Sequence, residues 1–293
     1  ISNFFKFEEA FNARPLVNLS FAVNYAIAGL RVELFHLTNI LIHIFNPFLV
    51  FVLIRLVLVQ PLVSLNGTHN FERQCAAPFF AAALFALHPI QSQAVIYISQ
   101  RAALLACFFY VLTVICYILG RNRQVQKNRA SQYIGFYAMC LFFAICAFLS
   151  KKNAASIPLA LLLTEIILFD NSWQSWKKKL PILVCFLILM GTGFAWFAGA
   201  FQGDLSHFLT RIDQLTRETN NVSRWQYLCT QATVVLFYIK LILLPNDLNI
   251  DHGIAMKSGF FDGTTPYAGI LLLGVIFFAI FVAKQKKTLS FGI

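Results

Sequence analysis

Between Ala76 and Leu119 the chain carries one formal charge, Arg101, at the end of a polar island. The island reads His88-Pro89-Ile90-Gln91-Ser92-Gln93-Ala94-Val95-Ile96-Tyr97-Ile98-Ser99-Gln100-Arg101. Uncharged runs flank it, Ala76 to Leu87 before and Ala102 to Leu119 after. Pro89 has no N–H and disfavours helix at His88, so the chain is expected to break there. At membrane depth such a break survives only where it lines a cavity or packs inside protein. His88, Gln91, Gln93, Tyr97 and Arg101 are therefore expected to gather at one wet end of a helical hairpin. The simpler reading, a solvated turn between two membrane helices, needs fewer hydrogen-bonding side chains than these.

Composition fixes the class. The chain is 59% hydrophobic and 12% charged, with 32 phenylalanines, whereas soluble domains carry about twice that share of charge. The expected fold is all-α: a polytopic transmembrane helical bundle of about eight spanning helices with one or two interfacial helices. One transmembrane domain is expected over residues 1–293. The net charge of +11 fits basic loops and anionic lipid rather than nucleic acid. No two of the seven cysteines form a Cys-x-x-Cys pair, so buried free thiols are expected. The chain starts at Ile1 without Met, and an apolar run restarts at Leu289. It therefore reads as an internal portion of a longer protein.

Arg14-Pro15 opens a short helix, Leu16 to Leu30, whose Asn18, Ser20 and Asn24 suit an interfacial position. Leu34 to Val59 is long enough to cross. Its His36, Asn39 and His43 share a face, which serves either a cavity or helix–helix hydrogen bonding. The two histidines lack a third metal ligand nearby. Further crossings are expected at 133–149, 154–169 (with Glu165), 180–201 and 267–283, with a polar break at Ser150-Lys151-Lys152-Asn153. The stretch 120–132 holds Arg121, Arg123, Lys127 and Arg129 with no acid, which marks a cytoplasmic loop. Residues 177–179 and 284–287 read the same way. These basic stretches share a side only if the crossings between 179 and 284 are even in number. Three segments compete, and 224–244 is expected to be the tilted or interfacial one, given its polar stripe and Lys240. The polar segments 1–33, 88–101, 150–153, 202–223 and 246–266 then all face outward, as one active surface.

Several motifs together resemble the GT-C-type membrane O-mannosyltransferase-like proteins, multispanning proteins often followed by tetratricopeptide repeats. They are Arg14-Pro15-Leu16, Leu19-Ser20-Phe21-Ala22, Gly29-Leu30, His36-Leu37-Thr38-Asn39 with His43, and Phe85 to Val95 with Tyr97-Ile98 and Gln100-Arg101. They continue through Ser150-Lys151, Asn153, Pro158-Leu159, Thr230-Gln231, Tyr238, Leu241 to Pro245, Leu248-Asn249 and Asp251-His252. Gln91-Ser92-Gln93 with Gln100-Arg101 looks like the bacterial members, which implies a bacterial inner membrane with a periplasmic active face. The alternative is the endoplasmic reticulum with a lumenal one.

The resemblance implies transfer of a mannose-like hexose from a polyprenyl-phosphate donor to a protein Ser/Thr or lipid hydroxyl. Arg14, His36, Asn39, His88, Gln93, Arg101 and Lys151 are then the donor phosphate and groove residues, with Lys152 a further cation. Gln231, Tyr238, Asp251 and His252 are the acceptor-cleft candidates, although residues 246–249 also suit a plain turn. The catalytic base of such proteins is an acidic pair expected upstream of Ile1, and Glu8 and Glu9 are weak substitutes. Relatives often have Ser-Lys-Glu where this chain has Ser150-Lys151-Lys152, and an aspartate where it has Ala103. No Asp-x-Asp or Asp-Asp pair occurs, so neither a metal nor another cofactor is expected. Membrane lipid, the donor and the acceptor are the expected partners. A lipid-linked sugar flippase would need polar groups at mid-depth, for which Glu165 and Lys240 are the only hints. A catalytically silent scaffold is the remaining alternative.

Overall fold

The computed structural model describes residues 14–60, 71–126, 129–169, 223–246, 248–249 and 252–283, with isolated positions 188, 191, 192 and 206. Among these residues every regular element is helical. The chain divides into two units, the first built on residues 1–171 and the second on 172–285.

The first unit opens with α1 (Pro15–Ala28), where proline takes the first helical position, as its ring and missing N–H favour. Gly29 at φ +60° ends it, a conformation that costs a Cβ-bearing residue more. α2 (Val32–Leu58) follows, then α3 (Phe71–Leu87), α4 (Gln91–Ile96), α5 (Arg101–Val125) and α6 (Ala130–Ser150). α6 ends at Ser150, Lys151 is extended, and a 3₁₀ turn over Lys152–Ser156 leads into α7 (Ile157–Thr164). A π turn over Glu165–Phe169 continues α7. The second unit holds α8 (Arg224–Leu243) and α9 (Thr265–Ala283).

Among the described residues, five helical stretches are long and apolar enough to cross a bilayer: Val32–Leu58, Ile98–Val125, Ala130–Ser150, Lys152–Phe169 and Arg224–Leu243. Shorter apolar helices are Pro15–Ala28, Cys75–Leu87 and Thr265–Ala279. The molecule is a polytopic helical membrane protein. The expected crossing at 180–201, and the basic stretches 177–179 and 284–287, lie outside the described residues. Helices outrun the apolar stretches that signalled them. α3 begins at Phe71, before the uncharged run, and α5 continues through Arg121 and Arg123.

The core of the first unit lies between α5, α6 and α7. Ile118, Ala144, Ala147, Ile157 and Leu168 are almost fully buried there. Small residues let the backbones approach. A Cβ on Gly120 would stand 3.1 Å from the Tyr137 ring and 3.2 Å from Phe136 Cβ. The described cysteines 75, 107, 116, 140, 146 and 229 are free thiols.

Candidate functional site

The break at His88 forms as its proline requires. His88 is non-helical, Pro89-Ile90 make a turn, and α4 begins at Gln91. The His88 Nδ1 accepts the Ile90 N–H at 3.2 Å. A helix end leaves its last carbonyls without intrahelical donors. One of them, Ala86 O, accepts from His43 Nε2 at 3.1 Å. His43 lies eight residues along α2 from Phe35, about 12 Å. The break therefore sits well below the Phe35 level, and His43 serves helix–helix hydrogen bonding.

Arg101 does not join His88, Gln91 and Gln93 at a wet end. It is 0% exposed. Its guanidinium faces inward and ties three helices together. Nε donates to Asn39 Oδ1 at 2.8 Å, Nη2 to the Phe35 carbonyl at 2.8 Å, and Nη1 to the Ser20 carbonyl at 3.3 Å. Nη1 also donates to Asn24 Oδ1. Asn24 in turn donates to Thr38 Oγ1 at 2.8 Å, and Asn39 to the Val95 carbonyl at 3.4 Å. The Arg101 Cζ stands 4.4 Å from the Phe21 ring centroid and 5.6 Å from that of Phe35. All these partners are neutral, and among the described residues no carboxylate pairs with it. A buried cation is tolerated when hydrogen bonds satisfy it, and the planar fork suits several acceptors at once. Among the described residues no carboxylate cancels the positive charge.

The rings that cover the guanidinium also form a wall. Phe21, Phe35, His36, Ile96, Tyr97, Ile98 and Ser99 line a groove of about 630 Å³. Its lining is mostly apolar, with an imidazole, a phenol and a hydroxyl as the polar groups. Tyr97 has an extended backbone between α4 and the 3₁₀ turn Ile98–Gln100, so the irregular segment supplies the groove floor. The groove volume suits a small-molecule or lipid segment.

The expected donor residues separate accordingly. His36 lines the groove, while Asn39 and Arg101 lie behind its aromatic wall. Arg14 is exposed at the start of α1, Gln93 is half-buried on α4, and Lys151 is half-buried in the extended link after α6. Glu8 and Glu9 lie outside the described residues, as does Asp251. In the second unit, Gln231 and Tyr238 are seven residues apart on one face of α8, and His252 packs on the Phe237 ring at 4.7 Å. The aromatic wall of Phe21 and Phe35 was not anticipated. The available signal was two phenylalanines, each within four residues of a polar side chain that holds Arg101.

The opposite end of α5 holds a second cation, the partly buried Arg121, 20 residues or about 30 Å away along the helix. This one is paired. Arg121 Nη2 lies 2.6 Å from Glu165 Oε1 and Nε 2.9 Å from Oε2. Tyr117 Oη donates to Oε2 at 2.7 Å, and Gln124 accepts from Arg121 and Tyr137 at 2.9 and 2.8 Å. The stretch 120–132 therefore has an acid partner after all, brought from 44 residues away by the packing of α7 against α5. Among its described cations, Arg123 and Arg129 are the exposed ones that carry the basic signal. Glu165 is held by this pair, and its value as a hint of mid-depth transport falls. Among the described residues no cluster of three or more metal-ligating side chains occurs.

A mostly apolar groove walled by aromatic rings, with the Arg101 guanidinium buried behind it, belongs to a polytopic helical membrane protein. Comparison with known proteins agrees with that class. The chain is 31% identical over 247 residues to the Drosophila melanogaster protein O-mannosyl-transferase Tmtc2, covering 82% of this chain. It is 28% identical over 253 residues to human protein O-mannosyl-transferase TMTC2, and 30% identical over 160 residues to human TMTC1. The chain spans about a quarter of the length of the Drosophila relative, 24%, and similar or smaller shares of the human ones, 27% and 17%. No family model and no solved structure matches. The named relatives are animal proteins, and the bacterial reading gains no support from them.

Proposed function

We propose that this chain is membrane-embedded machinery of a GT-C-type protein O-mannosyltransferase of the family its relatives represent. The reaction class moves a mannose-like hexose from a polyprenyl-phosphate to a protein hydroxyl. A base takes the acceptor proton, the acceptor oxygen attacks the anomeric carbon, and the lipid phosphate departs with the bonding electrons. The observation that carries the reading is the groove over Arg101. Its apolar walls, Phe21, Phe35, Ile96 and Ile98, suit the prenyl chain. The guanidinium behind them, with no carboxylate partner among the described residues, raises the local positive potential and favours a phosphate at the rim, near His36, Tyr97 and Ser99. Arg101 is then a positioning residue that holds the wall and supplies the field, and His36 is a direct ligand.

Lys151 and Arg14 are cations for the phosphate at the same level, Lys151 because α5 and α6 run antiparallel and return the chain to the Arg101 end. Gln231, Tyr238, Asp251 and His252 of the second unit are the acceptor contacts in this reading. The membrane is that of the endoplasmic reticulum, with the groove lumenal. The test is transfer from radiolabelled polyprenyl-phosphate mannose to protein by the full-length protein in membranes. His36→Ala is expected to lower transfer by an order of magnitude or more at unchanged protein level, roughly 1.4 kcal/mol per tenfold. Transfer that survives both His36→Ala and Phe35→Ala would locate the donor elsewhere.

A further inference from the structure

α8 is long and apolar enough to cross a bilayer, yet the chain that follows it argues otherwise. The helix opens on a capping box, with Ser223 Oγ accepting the Gln226 N–H at 3.2 Å and Gln226 Oε1 accepting the Ser223 N–H at 3.1 Å. It ends at Leu243. The chain then turns back along it as a strap whose described residues, 244–246, 248–249 and 252–257, are neither helix nor strand. His252 packs on Phe237, and the Lys257 N–H donates to Thr230 Oγ1 at 2.9 Å. By Lys257 the strap has retraced 13 helical residues, about 20 Å.

Hydrocarbon does not accept such a segment. A strap has no helical or sheet ladder to satisfy its N–H and C=O groups, so it stays in water or inside protein. Gly253, Ala255, Met256 and Ser258 of the strap are exposed. Two faces of α8 differ in the matching sense. Trp225, Leu228, Val235, Ile239 and Ile242 share one face, and all are exposed. Thr230 and Phe237 take the strap on the other, where Leu241 is buried too. Tyr227, Gln231 and Tyr238 form a polar stripe between them.

We infer that α8 lies in the membrane–water interface, its Trp225–Ile242 face in the acyl layer and its strap on the aqueous side. Lipid is its partner. A helix with one apolar face, a polar stripe and an aromatic residue at its end is the kind that binds this region. The charge pattern of the chain points the same way by a separate route. The basic stretches 120–132, 177–179 and 284–287 share a side only if one of the three apolar segments between 179 and 284 does not cross. The inference stands independently of the transferase reading.

The test uses single cysteines added to the full chain in sealed membranes, labelled with an impermeant maleimide against the unmodified chain as background. Asn221→Cys and Leu248→Cys bracket α8, Tyr238→Cys reports its middle, and Arg123→Cys marks the basic side. The expected result is labelling of 221, 238 and 248 from one side and of 123 from the other. Labelling of 221 and 248 from opposite sides overturns the inference, and so does a Tyr238→Cys that the reagent never reaches.

Discussion

Replacing Arg101 by leucine removes a group that ties α1, α2 and α5 at the groove end. Two acceptors lose their charged donor in a buried place, Asn24 Oδ1 and Asn39 Oδ1, in residues only 4% and 0% exposed. The Ser20 and Phe35 carbonyls keep their intrahelical partners. A buried acceptor left without a donor costs about 1–3 kcal/mol, so the pair costs about 2–6 kcal/mol. That is a large share of a typical stability of roughly 5–15 kcal/mol. Arg101→Lys keeps the charge but not the fork that reaches Asn24 and Asn39 on two sides, and it should recover less than half of the loss. Arg101→Leu combined with Asn24→Leu and Asn39→Leu removes both sides of each bond and should recover more than lysine does. Denaturant unfolding of the full chain in detergent micelles measures all three. An Arg101→Leu protein within about 0.5 kcal/mol of the parent, the range of surface substitutions, would refute the reasoning.

At the other end of α5, Arg121→Ala strands Glu165 and should cost about 3–5 kcal/mol. Arg121→Met with Glu165→Leu should cost much less, read by the same unfolding assay. Gly120→Val drives a side chain into the Tyr137 ring, and a loss of about 1–3 kcal/mol is expected, with Gly135→Ala, where the added Cβ meets nothing within 4 Å, as the control. In the second unit, the Ser258 backbone N–H first, then its hydroxyl, and Lys257 hold the Asp262 carboxyl below its ordinary value. A depressed folded value means the contribution is present above the unfolded value and lost as pH falls through the folded one. Amide exchange at Ser258 should therefore quicken on acidification below the usual aspartate range, beyond the intrinsic pH trend, and Asp262→Asn should abolish that extra pH dependence.

The class of fold was legible because uncharged runs of this length have one stable solution in a membrane, and Pro89 and Lys151 marked their breaks correctly. The site was legible only in part. His36, Asn39 and His43 do share a face of α2, but three residues of one face went to three purposes: groove lining, the Arg101 hub and the Ala86 carbonyl. Spacing gives the face, not the depth, and depth decides which partner each side chain meets. Arg101 looked like the exposed end of a polar island. Asn24, Asn39 and two carbonyls, from positions 62 to 81 residues earlier, enclose it, and no local pattern announces that closure. Arg121 shows the same limit, since its acid lies 44 residues on.

The most direct measurement is photocrosslinking of the full-length protein in membranes with a diazirine-bearing polyprenyl-phosphate mannose, the adducts mapped by peptide mass spectrometry. The account predicts adducts on the segment 96–99 and on Phe35 or His36, competed by unlabelled polyprenyl-phosphate mannose and weakened by His36→Ala. Adducts confined to other helices, or indifferent to the competitor, would contradict it.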